Sequence, residues 1–173
     1  MAQVDYFLKI DAVPGESTDA KHKDEIDVES WSWGATQLGT TAGGGGGGTG
    51  KVSIQDLNFV ARTSKASPVL FLRCASGQHI KQAILTARTS GKTQAEFLTL
   101  TMTDLLVSSY QIAGSETAET VPMDQVSLNF SKIQFEYKMQ KADGSLDAPV
   151  VTEHVGRRRA RRRPTPTAGT TGT

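Results

Sequence analysis

In the run VSLNFSKIQFEYK, Val126, Leu128 and Phe130 stand at even positions, whereas Ile133, Phe135 and Tyr137 stand at odd ones. Side chains along a strand alternate with a period of two, so the apolar face changes sides partway along this segment. The same change separates Ile26 and Val28 from Trp31 and Trp33, Ile54 from Leu57, and Met102 from Leu105. One extra residue, a β-bulge, corrects such a slip by restoring the inward face and bending the strand. Departures from regular pairing are therefore expected near residues 29–30, 55–56, 103–104 and 131–132, with bulges or sharp bends at two or more of them. Strands that bend repeatedly suit a closed or nearly closed barrel. The other reading is a strand whose first half faces the core and whose second half faces a neighbouring subunit. Both readings give a barrel with heavily used outer surfaces.

The rest of the chain fits that frame. VDYFLKI places Val4, Tyr6, Leu8 and Ile10 on one face. EIDVESWSWG, KVSIQDLNFVART, HIKQAILTART and EFLTLTMTDLLVSSYQI are equally rich in the β-branched and aromatic residues that favour strands. One segment differs: SPVLFLRCASG offers Ser67 as N-cap, Pro68 at the first helical position and Gly77 as a stop. It predicts a short helix that packs Val69, Leu72, Leu70 and Cys74 onto the sheet. The polar stretch at residues 113–122 predicts a loop between strands. The fold class predicted is mainly β, a barrel of antiparallel strands with one short flanking helix.

A chain of 173 residues suits one domain with a core of its own. No apolar run approaches the roughly 18 residues needed to cross a membrane, and the opening MAQVDYFLKID lacks the regions of a secretory signal. The single cysteine, Cys74, excludes an internal disulfide and a cysteine-based metal cluster and reads as a small apolar helix residue. The formal net charge of +1 conceals an asymmetry. Arg157, Arg158, Arg159, Arg161, Arg162 and Arg163 hold six of the 19 Lys and Arg residues, and without them the sum is 13 − 18 = −5. The body is acidic and the tail strongly basic. From about Gly156 the chain has no apolar periodicity, so the tail is expected to be disordered.

Catalytic, cofactor and metal sites are not expected. Gly45, Gly50 and Lys51 fit a phosphate-binding loop, but Val52 follows where the pattern needs Ser or Thr for magnesium. Lys51 also opens a strand-like run, whereas phosphate binding needs a helix N-terminus there. The glycine run at residues 43–48 reads instead as a flexible connector. His22, His79 and His154 lie in no metal-ligand spacing, and His22 within STDAKHKDE reads as a solvated loop residue. No G-x-S-x-G nucleophile elbow occurs. Asn129 opens a glycosylation-type NFS, but in the middle of a predicted strand.

YFLKIDAVPGESTDAKHKDEIDVESWSWG, GKVSIQDLNF, KASPVLFLRCASGQHI, MTDLLVSSY, VSLNFSKIQFEYK and QKADGS, taken in that order, resemble the haemolysin-coregulated protein (Hcp) family of the type VI secretion system. The resemblance covers about residues 1–146 and implies a tube-subunit barrel similar to phage tail-tube proteins, followed by a basic extension at residues 147–173. It implies hexameric rings that stack into a hollow tube, with a spike protein, a contractile sheath and small effectors as partners. It implies a start in the bacterial cytoplasm and secretion without a cleavable signal peptide, with no stable membrane insertion and no specific nucleic acid. Off-phase apolar residues such as Phe7 would then be subunit-interface residues. The segment AVPGESTDAKHKDEI would contact a neighbouring subunit or the next ring.

The resemblance says least about the tail, where the six arginines are candidate contacts for a polyanion or a partner. A competing reading takes them alone and makes the chain a nucleic-acid- or polyanion-binding protein, held electrostatically and released by salt. No aromatics are interleaved with the arginines to stack on single-stranded bases. A nucleotide-dependent enzyme would rest only on the incomplete phosphate loop.

Overall fold

The computed structural model describes residues 3–37, 52–116 and 121–156. Its strands are β1 (Val4–Ile10), β2 (Ile26–Ser32), β3 (Ala35–Gln37), β4 (Val52–Ile54), β5 (Leu57–Arg62), β6 (Ile80–Thr89), β7 (Glu96–Ala113), β8 (Met123–Tyr137) and β9 (Val150–Val155). Among the described residues there is one helix, α1, spanning Ala66–Ser76. The main sheet runs β5-β2-β1-β6-β7-β8-β9, and β5 also pairs with β8, which closes six antiparallel strands into a barrel. β9 lies outside that closure, on the second half of β8. β3 and β4 form a separate two-stranded ribbon. The glycine run, Gly45, Gly50 and Lys51 fall outside the described residues.

The core fills the barrel with Leu8, Leu57, Phe59, Leu85, Leu100, Met102, Leu105 and Leu128, each 1% exposed or less. Burying one such side chain contributes roughly 1.5–3 kcal/mol.

The phase slips resolve in different ways. In β2 the pairing with β5 shifts between Val28 and Ser30, so Glu29 is the extra residue. Between Ile54 and Leu57 the strand stops, and the chain passes from the ribbon into the barrel. The slips in β7 and β8 face each other. Met102 pairs with Ile133 and Leu105 with Phe130, one register throughout, while Asp104 between them turns to a left-handed φ of 53°. β6 changes face at the same level, since Ala83 opposes Met102 and Ile80 opposes Leu105. Three neighbouring strands thus crease together, and apolar residues three apart all reach the inside. Two further register shifts, at Val107/Ser109 and Ala87/Arg88, have no counterpart in the apolar pattern.

α1 begins earlier than its sequence suggests. Lys65 stands at the N-cap without a side-chain cap bond, so Ser67 is not the cap and Pro68 is not the first helical residue. The Ser67 hydroxyl instead accepts from the Ser64 N–H at 2.9 Å and donates to the buried Asp124 carboxylate. Leu70 is buried and Leu72 is 63% exposed, so Leu72 does not pack on the sheet. Val69 and Cys74 are half-buried against the core, as expected. Gly77 ends the helix in the left-handed conformation that suits a residue without Cβ.

Two expectations for the segment between β1 and β2 are overturned. Phe7 is 5% exposed and His22 6%, because the segment folds back over the outside of its own barrel. The His22 ring stacks on Phe7 with centroids 4.2 Å apart, and its Nδ1 lies 2.8 Å from Glu25. Beside them Arg88, on β6, holds the Asp19 carboxylate through two bonds of 3.0 and 2.7 Å. Phe7 is therefore covered by its own chain, and His22 is a packed residue, not a solvated one.

Phe59→Ala should lower unfolding free energy by about 3–5 kcal/mol, measured by denaturant titration, because the closed wall cannot collapse into the space. The Arg88 N–H donors hold the Asp19 carboxyl well below the usual carboxylate range. A lowered folded-state pKa gives stability that is complete above the ordinary range and is lost as pH falls through the folded value. Asp19→Asn should accordingly reduce Tm at neutral pH. The difference from wild type should persist in mild acid and close only in strong acid.

Candidate functional site: the outer surfaces of the barrel

With the interior filled, chemistry is left to the outside. The outward sides of β2, β5, β8 and β7 form a wall on which Ser30, Ser32, Asn58, Ser109, Gln111 and Gln125 are exposed. These side chains line a groove of about 460 Å³. They carry hydroxyls and amides and no charge. Alternation puts Asn58 and Gln125 outside, beside the buried Leu57, Phe59 and Val126, and the register shifts at Val28/Ser30 and Val107/Ser109 turn Ser30 and Ser109 outward. Such a wall can offer hydrogen bonds to many partners while holding none by net charge.

Carboxylates on and behind the wall are engaged by neutral donors. Asp124, 2% exposed, accepts from Thr63 at 2.9 Å, from Tyr110 at 3.1 Å and from Ser67. This ties β5, α1, β7 and β8 together at one atom group. Burial, followed by the nearby Asp124 charge, pushes the Tyr110 hydroxyl up. Asp56 accepts from Ser108 at 2.6 Å and from Asn129 at 2.7 Å, which also gives Asn129 a structural role. Asp104 accepts from Ser131 and pairs with His79, both at 2.9 Å. Burial, then the charges of Asp19, Asp5 and Glu29, push the Asp27 carboxyl up. A nucleophile–base–orienter arrangement is not assembled by these contacts, and among the described residues no group of three or more His, Cys, Asp or Glu could hold a metal. Among the described residues no helix is long and apolar enough to cross a membrane.

Two surfaces are apolar. On α1, Phe71 and Leu72 are exposed, and Phe71 meets Tyr110 edge-on at 6.0 Å, with Ile112 exposed further along β7. On β9 all six residues are exposed, including Val150, Val151 and Val155. Its pairing with β8, Lys132 to Val155 through Tyr137 to Val150, occupies one edge, and among the described residues no strand pairs with the other.

β9 falls in the segment that the sequence assigns to the basic extension, and the strand was not legible as such. The sheet therefore continues past residue 146, and the Gly156 N–H donates to Ser131 at 2.7 Å. Arg157, Arg158, Arg159, Arg161, Arg162 and Arg163 lie outside the described residues. What the structure supplies is their point of departure, at the crease between the two halves of β8.

Comparison with known proteins gives one consistent result. Residues 7–137 match the family model described as "Type VI secretion system effector, Hcp". Protein hcp1 of Pseudomonas aeruginosa is 47% identical over 145 residues, spanning 83% of this chain and 89% of that protein. The crystal structure of Hcp1 from Salmonella typhimurium is similar at a TM-score of 0.72 and 37% identity, covering 90% of this chain and 95% of the other. A type VI secretion system effector from Yersinia pestis is similar at 0.71 and 34%, covering 87% and 99%.

Proposed function

The chain belongs to the Hcp family of the type VI secretion system, and from that premise we propose that it is a tube subunit, without enzymatic activity, that assembles as a hexameric ring. Rings stack into a hollow tube that a contractile sheath drives outward behind a spike. Small effectors travel inside, and the protein leaves the bacterial cytoplasm with them. The observation that carries this reading is the uncharged wall across β2, β5, β8 and β7. A lumen must accept cargo and release it, and hydroxyl and amide groups suit brief contact better than fixed charge does.

A ring needs two unlike surfaces on each subunit, because a head-to-tail contact closes only when one patch meets a different one. The open edge of β9 and the apolar face of α1 with Ile112 supply two such surfaces. An unpaired strand edge with exposed valines is otherwise a liability that folded proteins cover. The arginine tail is assigned a separate task, a salt-sensitive contact with an anionic cargo or an acidic face of sheath or body.

Sedimentation of the purified protein at micromolar concentration should give a homohexamer. Val151→Glu on β9 should shift it to monomer with native circular dichroism. Monomer alone for the folded wild type would overturn the ring. A truncation after Gly156, which keeps β9 whole, should retain the wild-type oligomer and lose salt-sensitive binding to heparin. Equal heparin binding by both proteins across salt would remove the arginines from that role.

A further inference from the structure

Residues 15–25 are stitched to themselves. The Gly15 N–H donates to Asp24 at 2.8 Å, Ser17 to Glu25 at 3.0 Å and Asp24 back to Ser17 at 2.9 Å. At the tip, Asp19 Oδ1 accepts the N–H groups of Lys21 and His22 at 2.9 and 3.2 Å. The neck is tight, since a Cβ on Gly15 would stand 2.2 Å from the Glu25 carbonyl oxygen. Asp24 closes it with a left-handed φ of 59°, uncommon without glycine.

The ties to the barrel are of another kind. Among the described residues, no backbone hydrogen bond joins residues 15–24 to a strand other than at Glu25, beside β2. The contacts are side chains, of which the Lys65–Asp24 pair at 3.5 Å and the Glu16 bond to the Lys65 N–H at 3.0 Å are exposed. The buried ones converge on Arg88 and Phe7, apart from the Ser17 hydroxyl, which bonds the Asp27 carboxylate on β2. Arg88, 3% exposed, grips Asp19, lies 3.6 Å from Asp5 and stands 4.8 Å from the Phe7 ring centre, on which His22 stacks. The grip is also incomplete, because Arg88 Nε is buried without a partner and His22 Nε2 has only the Glu96 carboxylate at 3.4 Å.

We propose that residues 15–25 form a strap latched to the outside of the barrel by Arg88, that its internal bonds are lost together as one unit when the latch releases, and that this opening bares Phe7 and the Arg88 guanidinium while the barrel stays folded. A loop that is bonded within itself and held to the barrel by side chains has a lower opening free energy than the strands beneath it. The barrel does not need the strap for closure, which runs through β5 and β8. The latch keeps an aromatic ring and a buried cation out of water until the strap lifts.

Hydrogen exchange on the full chain reads the two units separately. In Arg88→Met the amides of Gly15, Ser17 and Asp24 should exchange on the order of tenfold faster or more, as expected when a charged hydrogen-bond pair is removed. Amides of β7 and β8 should keep their wild-type rates, and trypsin should cut sooner at Lys21 and Lys23. Asp19→Asn, which breaks the same latch at its less buried partner, should do likewise and decides the matter if Arg88→Met does not fold. Strap and strand amides that accelerate together would show that the strap belongs to the cooperative core. Unchanged strap amides in Asp19→Asn would show that the latch is not Arg88. Either result overturns the proposal.

Discussion

The pairing of β5 with the first half of β8 is the constraint on which the rest depends. Leu57 opposes Leu128, Phe59 opposes Val126 and Ala61 opposes Asp124, so a strand from the first half of the chain closes against one from the second. Without that seam β5 and β8 would both be open edges, and Phe59 and Leu57 would face water. The closure also bends every strand that takes part. The crease at Ile80, Leu105 and Phe130 follows, because a small barrel can keep its apolar residues inside only if the strands turn. Asp104 makes the turn in β7 with a backbone conformation that Asp tolerates better than a β-branched residue would.

Closure divides β8 between two tasks. Its first half lies between β5 and β7 and completes the barrel, while its second half lies between β7 and β9 and extends the sheet outward. The uncharged wall belongs to the first half and the exposed valines to the second. A single strand therefore carries both a surface suited to passing contacts and one suited to lasting association. Asp124 sits at the junction of β8 with α1, and its three hydroxyl donors fix the helix against the same half that bears the wall. The three hydroxyl bonds offset the cost of taking the Asp124 carboxylate out of water, and they orient the parts in doing so.

The sequence made the barrel legible because the slips were signals and not noise. The extra residue at Glu29, the break after Ile54 and the turn at Asp104 all stand where the apolar parity changes. What sequence could not carry was contact at long range. Asp19 and Arg88 are 69 residues apart, so nothing near His22 announces that it will be buried. The helix face was misread at Leu72 because VLFL is apolar throughout and gives no phase. β9 is hidden in the sequence although Val150, Val151, Thr152 and Val155 favour a strand, since so short a run passes almost directly into six arginines. The uncharged wall was readable in principle, as serines and amides alternate with buried residues, but only the topology places β2, β5, β8 and β7 side by side.

The placement of charge follows from the same topology. Screening in physiological salt confines an exposed charge to about 8 Å, so which side chains lie near a surface matters more than the net charge of the molecule. Asp56 and Asp104 engage the serines and Asn129 around the crease, and Glu29 is paired with Arg62 at 2.8 Å beyond the other end of the wall. The wall between them is left without a charge of its own. Gly156 brings the chain to that crease, next to the acidic margin and not within the wall. The acidic margin and the uncharged wall are thus separable surfaces, one defined by charge and the other by its absence.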